Sequence, residues 1–191
     1  MRQNEVKELF VKNKALLSGH FLLSSGLHTD AYFQSALILQ YPSEASKLAL
    51  AIGKKVKDAK IKIDIVVSPA LGGIVIGQEA AKVLNARAIF TEKVEGQSML
   101  RRGFTIEKNE RVLIVEDVVT TGLSTKEVIK TLKPFGAKIC AAACLVDRSG
   151  GKINLGIPLF SLLSLKVKNY NQQDCPLCKS GIPYIKPGSR K

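Results

Sequence analysis

The stretch from Arg111 to Thr125, RVLIVEDVVTTGLST, constrains the chain more than any other. Val112 to Val115 form a short, β-branched apolar run with the composition of a buried strand. The run ends on two adjacent carboxylates, Glu116 and Asp117. Val118 and Val119 lead into a turn of small and hydroxylated residues, Thr120, Thr121, Gly122, Leu123, Ser124 and Thr125. From Lys126 to Phe135, apolar residues at 128, 129 and 132 keep helical spacing between charges. The order is strand, acidic pair, hydroxyl-rich turn, helix.

A turn of this kind at a helix N-terminus offers unpaired backbone N–H groups and the positive end of the helix dipole, which suits a phosphate. The hydroxyls add donors, and Gly122 lets the backbone come close. The carboxylates do not suit a phosphate. They can accept hydrogen bonds from sugar hydroxyls, or hold a metal already bound to the ligand. A phosphorylated sugar with a neighbouring diol satisfies both halves. Neither GxxxxGK[ST] nor GxGxxG occurs, so this is not a Walker or dinucleotide loop.

The motif VLIVEDVVTTGLST resembles the phosphoribosyl pyrophosphate signature of the type I phosphoribosyltransferases. Within that family the chain is similar to the orotate phosphoribosyltransferases. The likeness runs from GHFLLSSGLHTDAYF (19–33) through SPALGGI (68–74) to LVDR (145–148). It implies an α/β fold: a mostly parallel central sheet with flanking helices and a small N-terminal hood over the base site. The expected division of a single domain is a hood over about 1–40, a core over about 41–168, and a basic, cysteine-containing tail over about 169–191.

Taken in order, Val6, Leu9, Phe10, Leu16 and Leu17 predict an amphipathic helix over 3–17, ended by Gly19. Short strands are expected at 20–23 and 31–34. The family's commoner bacterial form has a lysine where Ser24 stands here. Pro42 opens a second helix, with Ala45, Leu48, Ala49, Ile52 and Val56 on one face. A strand over 64–67 runs into Ser68-Pro69-Ala70-Leu71-Gly72-Gly73, with a helix expected from about 74 to 84. In the family this second strand–turn–helix holds the pyrophosphate, which assigns Ala70, Leu71, Gly72 and Gly73 to it.

After a strand over 86–91, EKVEGQSMLRRGF (92–104) reads as a long polar loop, and such loops act as lids or lack fixed order. The resemblance makes it a lid that works across a dimer interface, with Lys93, Arg101 and Arg102 as its candidate cations. Strands are expected over 138–146 and 159–165. Asp147-Arg148 stands at the C-terminal end of the first, where open α/β sheets place ligands. In the family an arginine there contacts orotate, as does the residue at Thr120.

The resemblance thus implies transfer of the phosphoribosyl group to orotate, giving orotidine 5′-monophosphate and pyrophosphate. Glu116 and Asp117 would fix the ribose diol, the N–H groups of residues 120–124 would hold the 5′-phosphate, and Val118 and Val119 complete the expected phosphoribosyl pyrophosphate site. Mg²⁺ would bind through substrate oxygens, with no direct protein ligand. Two alternatives remain open from sequence: a purine phosphoribosyltransferase, and a non-catalytic sensor of the sugar pyrophosphate.

Composition narrows the classes. The 46% apolar fraction over 191 residues is that of a globular domain with a full core. No apolar run approaches a membrane span and MRQNEVKELF is not a signal peptide, so a cytoplasmic location is expected. The net charge of +13 favours anionic partners. With 6% aromatic residues and no Trp, however, base-stacking platforms are scarce and nucleic acid is not expected as a partner.

Cys140 and Cys144 share one parity on a strand, ordinary usage for core thiols. Cys175-Pro-Leu-Cys178, followed by Gly181, has the shape of a metal knuckle but supplies only half a tetrahedral site. The missing ligands would have to come from a second subunit, from Cys140 or Cys144, or from a histidine. The expectation is an unmetallated thiol pair, with a redox-labile disulfide as the other alternative.

Overall fold

A computed structural model of the chain describes residues 1–23 and 25–187. Ser24, which stands in the family's lysine position, lies outside the described residues, as do the last four residues of the basic tail.

The first helix, α1 (Gln3–Lys12), buries Val6 and Phe10 and is shorter than its periodicity suggests. Lys14 turns into the left-handed region (φ 53°), and Leu16 opens strand β1 (Leu16–Leu22). Leu16 and Leu17 have helical spacing, but they pair antiparallel with Phe33 and Tyr32 of β2 (His28–Phe33). Cross-strand pairing overrides the local signal here. A short helix α2 (Ala36–Leu39) leads to α3 (Pro42–Asp58), with Pro42 in its first turn, where no N–H is missed.

The core follows as β3 (Ile65–Pro69), α4 (Gly72–Leu84), β4 (Arg87–Val94), β5 (Gln97–Leu100), β6 (Arg111–Val119), α5 (Leu123–Leu132), β7 (Lys138–Asp147) and β8 (Leu159–Ser164). The strands make one sheet in the order β5-β4-β3-β6-β7-β8. All neighbours are parallel except β5 on β4. Alternation along the strands sends Val66, Leu113, Val115 and Ala143 to the face covered by α1, α3 and α4. It sends Ile65, Val67, Val112 and Ile114 to the face covered by Val128 and Leu132 of α5. Helices on both faces explain why these strands read as continuous apolar runs.

The segment 92–104 is not a loop throughout. Residues 91–94 and 97–100 pair as a hairpin closed by Glu95 (φ 51°) and Gly96 (φ 81°). Two central residues at positive φ are what a tight hairpin turn needs. The chain ends in β9 (Asn169–Tyr170) and the one-turn helix α6 (Pro176–Lys179). Strand β9 joins β2, so the described part of the tail belongs to the hood sheet, ordered β1-β2-β9.

Candidate active site

Two strand–turn–helix units meet at the C-terminal ends of β3 and β6. In the first, the Ala70 N–H donates to the Thr91 carbonyl at 2.8 Å, and α4 starts at Gly72. Gly72 lies directly on the acidic pair: a Cβ there would stand 2.7 Å from Asp117 Oδ1. A Cβ on Gly73 would stand 2.9 Å from the Val115 carbonyl oxygen. Only residues without side chains let this turn approach the end of β6.

In the second unit, β6 continues through Glu116 and Asp117 to Val119, and α5 starts at Leu123, earlier than its apolar spacing suggests. Gly122 is its N-cap at φ 75°, a left-handed conformation that favours glycine, and Ile153 and Leu155 leave no room for a Cβ. The Thr125 hydroxyl donates to Glu116 Oε2 at 3.0 Å. Ser124, Gly72 and Gly73 line one cleft together with Glu116, Asp117, Thr91, Lys93, Ser98 and Glu127. Thr120, Thr121 and Leu123 are exposed, Val118 is half-buried and Val119 is buried. The first turns of α4 and α5 thus bring two sets of helix-end N–H groups to opposite sides of one acidic pair.

Burial dominates the electrostatics of the cleft. Burial, then the neighbouring Asp117 charge, push the Glu116 carboxyl up to about 7; the Thr125 hydroxyl acts the other way. Burial also raises Asp117, against the backbone N–H groups that favour its charge. Lys93 Nζ is held 3.0 Å from Glu127 on α5, whose Thr131 hydroxyl donates to the Ser98 carbonyl of the hairpin at 2.7 Å. Carboxylates outnumber cations in this cleft, so it suits sugar hydroxyls or a divalent cation carried by a polyanion.

Arg148 follows β7 and is buried, 5% exposed. Its N–H donates to the Val119 carbonyl at 2.9 Å, which ties the ends of β7 and β6 together. One guanidinium nitrogen, Nη2, donates to the Thr29 hydroxyl (3.1 Å), the Asn169 side-chain oxygen (3.3 Å) and the Ala31 carbonyl (3.4 Å). Its Nε is buried with no acceptor among the described residues. Burial works against the guanidinium charge, which the Tyr32 and Asp30 side chains support. An arginine held in this way, with a donor left over, suits an anionic ligand. The adjacent Asp147 carries a structural load: burial would raise its pKa, but hydrogen bonds from Ser149, Gly151 and Ser164 outweigh burial and lower it.

The family follows from these features and from the sequence as a whole. The phosphoribosyl transferase domain model matches residues 35–176. The chain belongs to the phosphoribosyltransferase family. It is 48% identical to a curated orotate phosphoribosyltransferase of Carboxydothermus hydrogenoformans over 98% of both chains. It is 45% identical to that of Thermotoga maritima over 97% of this chain and 98% of the other. The crystal structure of orotate phosphoribosyltransferase from Aeropyrum pernix superposes with a TM-score of 0.66 at 27% identity, covering 84% of this chain and 94% of that one. An adenine phosphoribosyltransferase superposes with a TM-score of 0.63 at 20% identity over 83% of this chain and 99% of that one, a likeness of fold alone.

For a phosphoribosyltransferase of this kind, the structure gathers Glu116, Asp117, Ala70, Gly72, Gly73, Ser124 and Lys93 in one place. It does not bring in the two lid arginines. Arg102 is folded back on Glu92 at 2.8 and 3.0 Å and lies 5.8 Å over the Phe90 ring. Arg101 is exposed beyond the hairpin, and Leu71 points outward, 79% exposed. Sequence reasoning missed Thr29, Asn169 and Glu127, which hold Arg148 and Lys93. Only the helical spacing of Glu127 from Thr131, both facing the hairpin, could have signalled one of them.

The raised carboxyl gives a signed prediction. In the folded, ligand-free protein Glu116 holds its proton up to about pH 7, whereas the unfolded chain releases it near the usual value. Stability from this group is therefore present at low pH and lost as pH rises through about 7. Glu116→Gln should leave the melting temperature almost unchanged at about pH 4, below the ordinary carboxyl value. At pH 8 it should stabilise by on the order of 1–3 kcal/mol, seen as a higher Tm by scanning calorimetry. Equal effects at both pH values would mean that Glu116 is an ordinary solvated carboxylate.

Proposed function

We propose that the chain transfers the phosphoribosyl group of 5-phosphoribosyl 1-pyrophosphate to orotate in pyrimidine nucleotide synthesis. N1 of the anionic pyrimidine attacks C1 of the ribose, the bond from C1 to the pyrophosphate oxygen breaks, and pyrophosphate leaves with that electron pair. The α5 turn, residues 120–124, takes the 5′-phosphate on its N–H groups and hydroxyls. The 70–73 turn takes the pyrophosphate at the start of α4. Glu116 and Asp117 accept from the ribose hydroxyls, and their charge opposes the positive charge that builds on the sugar as the bond breaks. Lys93, released from Glu127, faces the leaving group. Mg²⁺ fits this carboxylate-rich cleft through substrate oxygens and would neutralise pyrophosphate there.

The observation that carries the choice of base is Arg148, buried beside the end of β6 with its Nε free of any acceptor among the described residues. Orotate has a carboxylate to meet it; adenine and hypoxanthine have none. The names and high coverage of the relatives support the same choice. The proposal includes a cytoplasmic location; among the described residues no helix is long and apolar enough to cross a membrane. Nucleic acid has no part in the reading.

A pyrophosphate-release assay across orotate, uracil, adenine and hypoxanthine should give turnover with orotate alone. Arg148→Ala should raise the orotate KM by about 30-fold or more, the scale of truncating one partner of a buried charge pair, and leave the phosphoribosyl pyrophosphate KM nearly unchanged. Turnover of a purine with orotate ignored would end this reading.

The assembly belongs to the proposal as well. Lys93 lies in its own subunit's cleft, while Arg101 and Arg102, exposed just after β5, do not line it. In a two-fold homodimer those arginines serve the partner's cleft. Mixing inactive Asp117→Asn protein with inactive Arg101→Ala, Arg102→Ala protein should restore activity after subunit exchange, because one site per heterodimer is then intact. A mixture that stays inactive after confirmed exchange would place the arginines in their own subunit.

A further inference from the structure

The expectation of a bare thiol pair rested on the lack of further ligands near Cys175 and Cys178. The structure supplies them. His20 of β1 and His28 of β2 come to the CxxC segment across the hood. The four ligand atoms, one per residue, all lie within 4.8 Å of one another. His20, His28 and Cys175 are buried and Cys178 is half-buried. Both thiols are free, and Cys140 and Cys144 remain in β7, outside the cluster.

We propose that His20, His28, Cys175 and Cys178 bind one Zn²⁺ as a closed structural site. The sulfur–nitrogen spacings are those of a tetrahedral zinc site. Zinc–sulfur bonds of about 2.3 Å and zinc–nitrogen bonds of about 2.0–2.1 Å set sulfur and nitrogen about 3.5–3.6 Å apart. Here Cys175 Sγ lies 3.5 Å and Cys178 Sγ 3.7 Å from His20 Nε2, and Cys178 Sγ lies 3.4 Å from His28 Nδ1. The two ring nitrogens stand 2.6 Å apart, within hydrogen-bond range; an ion between them separates them to about 3.3 Å. The His20 ring is already oriented as a ligand. Its Nδ1 lies 2.7 Å from the Ile182 carbonyl and donates to it, leaving the Nε2 lone pair directed at the cluster.

The donor set selects the ion. Two thiolates and two imidazoles favour zinc over magnesium or calcium, which take oxygen ligands. Binding releases the two thiol protons, and the divalent charge cancels the two thiolates, so the buried site is neutral. No open position remains once four ligands are in place, which makes the role structural.

The consequence is mechanical. The tail runs back along the hood: the Leu22 N–H donates to the Ile185 carbonyl at 2.9 Å and the Ile185 N–H to the His20 carbonyl at 2.8 Å. Zinc ties this strap to both β1 and β2. Thr29, next to His28, accepts from Arg148, so the ion fixes the hood strand that faces the base site.

The test uses the full-length, untagged protein purified without chelators, and does not depend on which base is the substrate. Elemental analysis should find about one zinc per chain. Cys178→Ser should lower this at least tenfold, while Cys140→Ser leaves it unchanged. If Cys178→Ser fails to fold, wild-type protein stripped of metal and reloaded with Co²⁺ decides: the visible bands of tetrahedral cobalt and thiolate charge-transfer absorption support the site. Metal removal should also lower Tm by several degrees. Less than a tenth of an equivalent of zinc with no uptake of added Zn²⁺ or Co²⁺ overturns the proposal. So does a Cys175–Cys178 disulfide in freshly purified protein, or full zinc content in folded Cys178→Ser.

Discussion

The contact between Gly72 and Asp117 is the constraint on which the active site depends. Two strand–turn–helix units can share one ligand only if their turns come within reach of the same small molecule. Here the backbone of the first turn rests on a carboxylate near the C-terminal end of the strand of the second, and no side chain fits between them. The parallel register of β3 on β6 sets both turns at the same edge of the sheet. The two helix N-termini then face a carboxylate pair from two sides. In the proposed reaction, acidic side chains between the two turns separate the roles: backbone donors would take the anionic ends of the ligand, and carboxylates the hydroxylated, transiently cationic centre.

The same economy extends to the base side. Arg148 is buried, and a buried guanidinium needs acceptors. The hood provides them through Thr29, the Ala31 carbonyl and Asn169, but only for one nitrogen. The hood therefore holds the arginine in place through one nitrogen and leaves its Nε without an acceptor among the described residues. Because Asn169 belongs to β9 and the tail after it closes on β1, the far end of the chain also sets this arginine's surroundings.

How much of this could be read from sequence depended on how local each signal was. Strand β6, its acidic pair and the turn that follows were legible because composition, glycine placement and helical spacing agree within one short stretch. Arg148 was legible because it ends a strand. The boundary of α1 was not: Leu16 and Leu17 fit helical spacing, and only their pairing with Phe33 and Tyr32 makes them strand. The lid's polar composition hid a hairpin that Glu95-Gly96 closes, since Glu is an unusual residue at positive φ. The partners of the CxxC pair were illegible for a different reason. His20 lies 155 residues before Cys175, and nothing in either segment marks their meeting.

The central claim is that Asp117 acts on the developing cation rather than merely supporting the turn that touches it. Steady-state kinetics of Asp117→Asn test this most directly, since the substitution keeps the size and removes the charge. The account predicts a fall in kcat on the order of 10²-fold or more, with the phosphoribosyl pyrophosphate KM little changed and the melting temperature not lowered. An unchanged kcat in a folded Asp117→Asn protein would contradict it and leave the carboxylate a structural role only.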